Sequence, residues 1–136
     1  MSRRACFTAA AIAAWTLGCQ QPLSFQALTS PPPFAQATLA EDSAGDTSIT
    51  LTKGVALAFS CWDPRTGDPC SPLAATMLDP SVAEVLPGYL DGLQSSTDGD
   101  LPQGALVVVG LKAGATTLDV NAGDDSASIN VTIADF

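Results

Sequence analysis

The amino-acid sequence predicts an all-β sandwich, and three observations support this fold class. The second half of the chain alternates apolar and polar residues, which is the period of a half-buried strand. Gly, Pro, Asn and Asp recur at short intervals between the alternating runs, where turns are expected. Charged residues make up only 14% of the 136 residues, and Gly and Pro together are frequent. This balance favours a sandwich over a helical bundle.

About seven strands are predicted, and they begin near residue 47. The first contains Ile49 and Leu51, and a Lys53-Gly54 turn separates it from a strand over residues 55–61 that places four apolar side chains on one face. We expect that second strand to be the centre of the core. The remaining strands are predicted at residues 73–78, 82–86, 106–111, 116–120 and 127–133.

The N-terminus has the pattern of an export signal. Arg3 and Arg4 precede an uncharged apolar stretch, residues 5–17, which is too short to remain as a membrane-spanning helix. The following Gly18-Cys19 resembles the lipobox of bacterial lipoproteins. The resemblance implies a signal peptide over residues 1–18 and an acylated Cys19 that attaches the protein to the membrane.

Gln20 follows the cysteine, where Asp would resemble the inner-membrane retention signal of enteric bacteria, so the outer membrane or cell surface is the expected location. The alternative is an ordinary secretory signal in which Cys19 has no role. In that case Ala35-Gln36-Ala37 offers a cleavage site, although it lies far beyond the apolar stretch.

Residues 19–46 contain several prolines and no sustained period, which predicts an extended tether between the anchor and a domain over residues 47–136. The apolar residues Phe25, Leu28, Phe34 and Leu39 leave a second interpretation open. Part of this segment would then pack on the domain, as its first strand.

Three segments of the domain resemble bacterial immunoglobulin-like domains of group 2. They are residues 79–85 (DPSVAEV), residues 109–120 (VGLKAGATTLDV) and residues 127–133 (ASINVTI). The resemblance covers about residues 47–133 and implies an immunoglobulin-like β-sandwich. The long polar segment that follows Pro87 and the insertion between Cys61 and Cys70 depart from the family pattern.

Cys61 and Cys70 are predicted to form a disulfide, because both remain in an exported chain and a turn-rich sequence separates them. The chain has no histidine and no further cysteine pair for a zinc site, so we expect no metal there. Trp62 and Arg65 lie between the cysteines and are candidate binding residues, since Trp and Arg are favoured at interfaces. A Trp in this position also commonly folds back onto the core.

The chain is strongly acidic, which excludes some classes of partner. Without residues 1–18 it has fourteen acidic side chains against three of the five bases, a net charge of −11. This argues against nucleic acid and against electrostatic binding to anionic lipid. Asp98 and Asp100, or the Asp124-Asp125 pair, are candidate Ca²⁺ ligands, but solvated turn carboxylates are the simpler interpretation.

The sequence predicts a non-catalytic envelope protein without a cofactor. Histidine, the usual base of Ser and Cys nucleophiles, is absent, and no glycine-rich phosphate loop follows a strand. We therefore expect a role in surface structure, adhesion or binding, with a protein or carbohydrate partner at the cell surface. The alternatives are a Ca²⁺-dependent binding module and an accessory subunit of an envelope complex.

Overall fold

The computed structural model describes residues 23–88 and 104–135, which form nine strands and no helix. Two sheets pack face to face, which confirms the predicted all-β sandwich. No helix in these two segments has the length and apolar character needed to cross a bilayer. The strands, numbered in chain order, are β1 (Ser24–Ala27), β2 (Ala37–Glu41), β3 (Thr47–Thr52), β4 (Ala56–Trp62), β5 (Ala74–Met77), β6 (Ala83–Gly88), β7 (Ala105–Gly110), β8 (Gly114–Ala122) and β9 (Asp125–Ala134).

The two sheets have the orders β1-β4-β7-β6 and β2-β3-β9-β8-β5. All pairings are antiparallel except that of β3 with β9, which is parallel and places Ile49 beside Val131. The β8–β9 hairpin closes through two residues, Gly123 and Asp124. Gly123 has a φ of 64°, and hairpin turns favour glycine at such a position because it has no Cβ to clash.

The core lies between the two sheets and is built from alternate residues of the strands. Leu57, Phe59 and Cys61 of β4 are fully buried, which confirms the predicted central strand. β4 lies between β1 and β7 in its sheet. The other large side chains that are fully buried come from four strands, β3, β7, β8 and β9: Ile49, Leu51, Val108, Leu118, Val120, Ile129 and Val131.

The seven predicted strands correspond to β3 through β9, but the predicted boundary at residue 47 is wrong. β1 and β2 belong to the segment expected to be a tether, and each pairs with a core strand, β1 with β4 and β2 with β3. Leu23 is only 6% exposed, and the Phe25 ring packs edge-on against Phe59 with 5.9 Å between centroids. The second interpretation, a first strand within residues 19–46, is therefore the one that the pairing supports.

The strands run between two ends of the sandwich that differ in their loops. At one end, named the disulfide end, lie the start of β1 and the loops over residues 42–46, 63–73 and 123–124. At the other, named the opposite end, lie the loops over residues 28–36, 53–55, 78–82 and 111–113. β6 ends and β7 begins at the disulfide end, where Gly104 accepts a hydrogen bond from the Cys61 amide at 2.7 Å.

Candidate functional site

The disulfide predicted from the sequence is present and closes a compact loop. Cys61 lies in β4 and Cys70 in the β4–β5 loop, with 5.4 Å between their Cα atoms, and both side chains are buried. The amide of Cys70 donates to the carbonyl of Cys61 at 2.9 Å, and the amide of Asp63 donates to the carbonyl of Asp68 at 2.9 Å. These two hydrogen bonds extend antiparallel pairing beyond the end of β4 before the chain turns. The pairing brings the two cysteines within bonding distance.

Arg65 lies at the tip of this loop and contacts two carboxylates. Its Nε donates to Asp63 Oδ1 at 3.3 Å, and its Nη2 is paired with Asp125 Oδ2, across 60 positions of sequence. Asp125 is only 8% exposed, whereas the Arg65 side chain is half exposed. The hydrogen bond from Arg65 to Asp63 and the charge of Asp125 raise the pKa of the guanidinium. Arg65 therefore joins the disulfide loop to the β8–β9 hairpin.

Asp63 stabilises the same turn, because both its side chain and its carbonyl accept hydrogen bonds from backbone amides of the loop. Its Oδ1 accepts a hydrogen bond from the Arg65 amide at 2.8 Å, and this bond is the main reason why the pKa of Asp63 lies below its ordinary value of 3.8. The carbonyl of Asp63 accepts from the Gly67 amide at 2.8 Å. A side chain that bonds its own backbone two residues on is the usual device of an aspartate turn.

A cavity of about 370 Å³ lies between the disulfide loop and the β8–β9 hairpin. Carboxylates of Asp63, Asp68 and Asp125 line one part of it, and Leu23, Cys70 and Ala122 supply apolar surface. The described residues include no group of three or more cysteine or carboxylate side chains arranged to bind a metal ion. Arg65 contacts two of these three carboxylates, Asp63 and Asp125, so their negative charge is partly neutralised within the protein.

The polar atom of the Trp62 side chain forms a hydrogen bond within the sandwich. The indole Nε1 donates to Ser60 Oγ at 2.8 Å, and Ser60 Oγ in turn contacts the carbonyl of Gln26 at 3.3 Å. The residue is half buried and bridges to Pro69 across the loop. Its indole N–H is thus used within the sandwich, and a binding role for Trp62 and Arg65 stays a prediction.

Several predicted site residues lie outside the described residues: Cys19, Asp98 and Asp100. The Ca²⁺ alternative that uses Asp98 and Asp100 therefore stays a prediction. For the second carboxylate pair, Asp124 and Asp125, the structure adds one fact. Asp125 is bound to Arg65, which is a competing cation.

Sequence reasoning missed two features of the described residues. It gave no sign that Arg65 and Asp125 would pair, because nothing local relates two residues 60 positions apart. It also treated Phe34 as one of four apolar residues that could pack on the domain, whereas Phe34 is 93% exposed. The three prolines that precede Phe34 were the available signal, since they favour an exposed turn.

No protein-family model and no curated protein matches the chain. Among solved structures, domains 4 and 5 of the S-layer protein SbsC match at 18% identity with a TM-score of 0.47, over 76% of this chain and 54% of that chain. Domains 5–6 of SbsC match at 19% identity with a TM-score of 0.44, over 76% of this chain and 45% of that chain. A structure of domains 1–6 matches at 18% identity with a TM-score of 0.47, over 77% of this chain and 14% of that chain.

This chain thus spans about half, or less, of the solved chains that it matches. At 18–19% identity and TM-scores below 0.5, no statement about function follows from these likenesses.

Proposed function

We propose that this protein is a non-catalytic lipoprotein of the bacterial cell envelope, anchored through Cys19 and serving surface structure or binding. The observation that supports the anchor most directly is the order of the N-terminal residues. Arg3 and Arg4 come first, an uncharged apolar stretch follows over residues 5–17, and Gly18-Cys19 ends it. Two or more acyl chains on Cys19 would exceed the threshold for stable membrane attachment.

The disulfide supports an exported location. Disulfides form and persist in oxidising compartments such as the bacterial periplasm and the cell surface, and they are rare in the cytosol. The bond between Cys61 and Cys70 lies in the core, where it joins β4 to the following loop. Its burial favours a structural role for the bond over a redox role.

The arrangement of charges at the disulfide end supports a binding or structural role over catalysis. Asp63 and Asp125, two of the three aspartates that line the cavity, both contact Arg65. A carboxylate that acts as a general base needs its pKa near the working pH, and ion pairing with Arg opposes this. The pKa of Asp63 is lowered, mainly by the hydrogen bond from the Arg65 amide and further by the Arg65 side chain.

The experiment that tests this proposal is the intact mass of the protein purified from the membranes of its own host, with and without reduction. We expect a chain that begins at Cys19, a mass increase from acyl chains, and a further gain of two hydrogen atoms on reduction. The Cys19→Ser variant should show no mass increase from acyl chains, because serine has no thiol to form the thioether that attaches the lipid. A mass without acyl groups on the unmodified protein would refute the anchor.

A further inference from the structure

Phe34 has a strained backbone conformation and an exposed aromatic ring, and no contact within the described part of the sandwich explains either feature. The amide of Ala35 donates to the carbonyl of Pro32 at 3.2 Å, so Phe34 is the third residue of a four-residue turn. Its φ is 64°, a conformation that turns normally give to Gly or Asn. Its ring is 93% exposed and gains almost no packing. A left-handed conformation costs a residue with a Cβ roughly 1–2 kcal/mol.

The loop that presents Phe34 is fixed at both of its bases. At the first base, the Leu28 amide donates to the carbonyl of Ala58 at 2.8 Å. At the second, Gln36 and Thr52 exchange two hydrogen bonds, from the Gln36 amide to Thr52 Oγ1 at 2.8 Å and from the Thr52 amide to the Gln36 carbonyl at 2.9 Å. Three prolines between these bases restrict the backbone further. The ring is therefore presented by a preorganised loop, which lowers the entropy lost on binding.

If Cys19 is the anchor, as proposed above, Phe34 faces away from that bilayer. Leu23 is buried at the disulfide end, and only three residues separate it from Cys19. Four extended residues reach about 14 Å, so the disulfide end stays close to the membrane. β9 runs 10 residues between the two ends, and its length of about 34 Å places the loop of Phe34 on the far side. A lipid in that same membrane is thus out of reach for the ring.

The charges of the two ends also distinguish them. Among the described residues, the disulfide end has seven acidic side chains, at positions 41, 42, 46, 63, 68, 124 and 125, against Arg65 alone. The opposite end has Lys53 and Lys112 against Asp79 and Asp135, which gives no net charge. Lys53 directly follows Thr52, the residue that holds the base of the Phe34 loop. A surface whose charges balance around an exposed aromatic ring suits a protein interface, in which a polar rim surrounds aromatic anchors.

From these observations we infer that the loop over residues 28–36 is a protein-binding surface, with Phe34 as the residue that enters an apolar pocket of the partner. The inference depends on the proposed anchor only for the direction in which the loop faces. The partner has an apolar pocket that accepts a phenyl ring, beside a channel for an extended proline segment. It is a protein of the cell envelope that lies beyond the sandwich, about 30 Å or more from the anchoring bilayer.

The test begins with photocrosslinking in the native membrane. Phe34 is replaced by p-benzoylphenylalanine in the full-length protein, and Thr66, which is exposed at the disulfide end, receives the same group as a matched control. We expect light to join position 34 to one protein, which mass spectrometry identifies, and the control at position 66 to lack that adduct. Adducts with lipid alone at position 34, or no adduct there, would overturn the inference.

The second step measures affinity between the identified protein and the purified sandwich. Phe34→Gly should weaken binding about 30-fold or more, the scale of a hot-spot residue, while Phe34→Tyr keeps most of the affinity. Because Gly suits the turn better than Phe, a loss of binding in Phe34→Gly cannot reflect unfolding. Equal affinity of Phe34→Gly and the unmodified protein would overturn the inference.

The two proposals fail in different ways. If Cys19 has no acyl chains but Phe34 still crosslinks to the protein and Phe34→Gly weakens binding, the anchor is refuted and the binding surface stands. If Cys19 is acylated but position 34 gives no protein adduct, the binding surface is refuted and the anchor stands.

Discussion

Phe34 gives a prediction at the scale of a single residue. Because its φ of 64° suits Gly and its ring lies in water, Phe34→Gly removes strain without loss of buried surface. We expect the substitution to raise the free energy of unfolding by about 0.5–1 kcal/mol, after the larger backbone entropy of Gly in the unfolded chain is subtracted. The corresponding rise in melting temperature is about 2–8 °C. Denaturant and thermal unfolding both measure it.

Phe34→Ala is the control for that substitution. Alanine loses the ring but keeps the Cβ that makes the left-handed conformation costly, so its stability should stay close to that of the unmodified protein. A Phe34→Gly variant no more stable than Phe34→Ala would contradict the strain argument.

Three aspartates outside the core predict how stability depends on pH. Asp42, Asp63 and Asp79 each have a pKa below the ordinary value of 3.8. The largest causes are the amide of Asp46 for Asp42, the amide of Arg65 for Asp63 and the hydroxyl of Ser81 for Asp79. A carboxyl group whose pKa is lower in the folded state stabilises the fold above its unfolded pKa. That contribution is lost as the pH falls through the folded pKa.

We therefore expect the free energy of unfolding to decrease as the pH falls below about 4, and to change little through these groups above pH 5, where their stabilising contribution is complete. Asp42→Asn offers a matched test, because asparagine retains an acceptor oxygen for the amides of Ala44 and Asp46 but does not titrate. Its stability should decrease less steeply with acid than that of the unmodified protein. Equal slopes would show that Asp42 does not contribute.

At the scale of an element, the loop closed by Cys61 and Cys70 should make a measurable contribution to stability. The bond links residues 9 positions apart. Chain entropy gives about 2.5–3 kcal/mol for a loop of this size. We expect reduction to lower the free energy of unfolding by that amount, as measured by denaturant unfolding with and without a reductant. The double variant Cys61→Ala/Cys70→Ala has no bond to reduce. Its free energy of unfolding should therefore be the same with and without the reductant.

The strands also show which parts of the fold the sequence could predict. β3 through β9 were visible because each contains several alternating apolar residues or, for β7, a continuous apolar run. β1 and β2 have only 4 and 5 residues, in which period two is hardly visible, and prolines lie between them. β2 pairs with β3, the next strand in the chain, but the place of β1 in its sheet depends on pairing with β4, which is distant in the chain. Local pattern does not encode such pairing.

The candidate site shows the same division between local and distant information. The disulfide was predictable because two cysteines of an exported chain flank a turn-rich sequence. The pairing of Arg65 with Asp125 was not, since it depends on how the β8–β9 hairpin folds against the disulfide loop. The strain at Phe34 was also invisible, because proline at the second position fits both type I and type II turns, and only type II gives the next residue a positive φ.

For the whole molecule, the sheet topology determines which end the N-terminus leaves. β1 begins at the disulfide end, and Leu23 before it lines the cavity there. With Cys19 as the anchor, the sandwich would stand close to the bilayer, whereas a tether up to residue 46 would have allowed it to extend several tens of ångströms away. The loops of the disulfide end would then be shielded by the membrane, and those of the opposite end would be available to partners.

This orientation can be measured on the acylated protein in lipid vesicles whose headgroups bear a fluorescence quencher. Asp124→Cys and Lys112→Cys place a labelled thiol in an exposed loop at the disulfide end and at the opposite end. The new thiol is the only free one when Cys19 is acylated, Cys61 and Cys70 are bonded, and Cys6 has left with the signal peptide. We expect strong quenching at position 124 and little at position 112, because about 34 Å of β9 separates the ends.

A flexible Gly-Ser insertion of about 20 residues between Cys19 and Leu23 serves as the control for the short connection. It would let the sandwich move several tens of ångströms from the bilayer, so quenching at position 124 should decrease while that at position 112 changes little. Equal quenching at the two positions without the insertion would mean that the sandwich lies flat on the membrane. Stronger quenching at position 112 would mean that the opposite end, with Phe34, faces the lipid, and either result would refute the orientation.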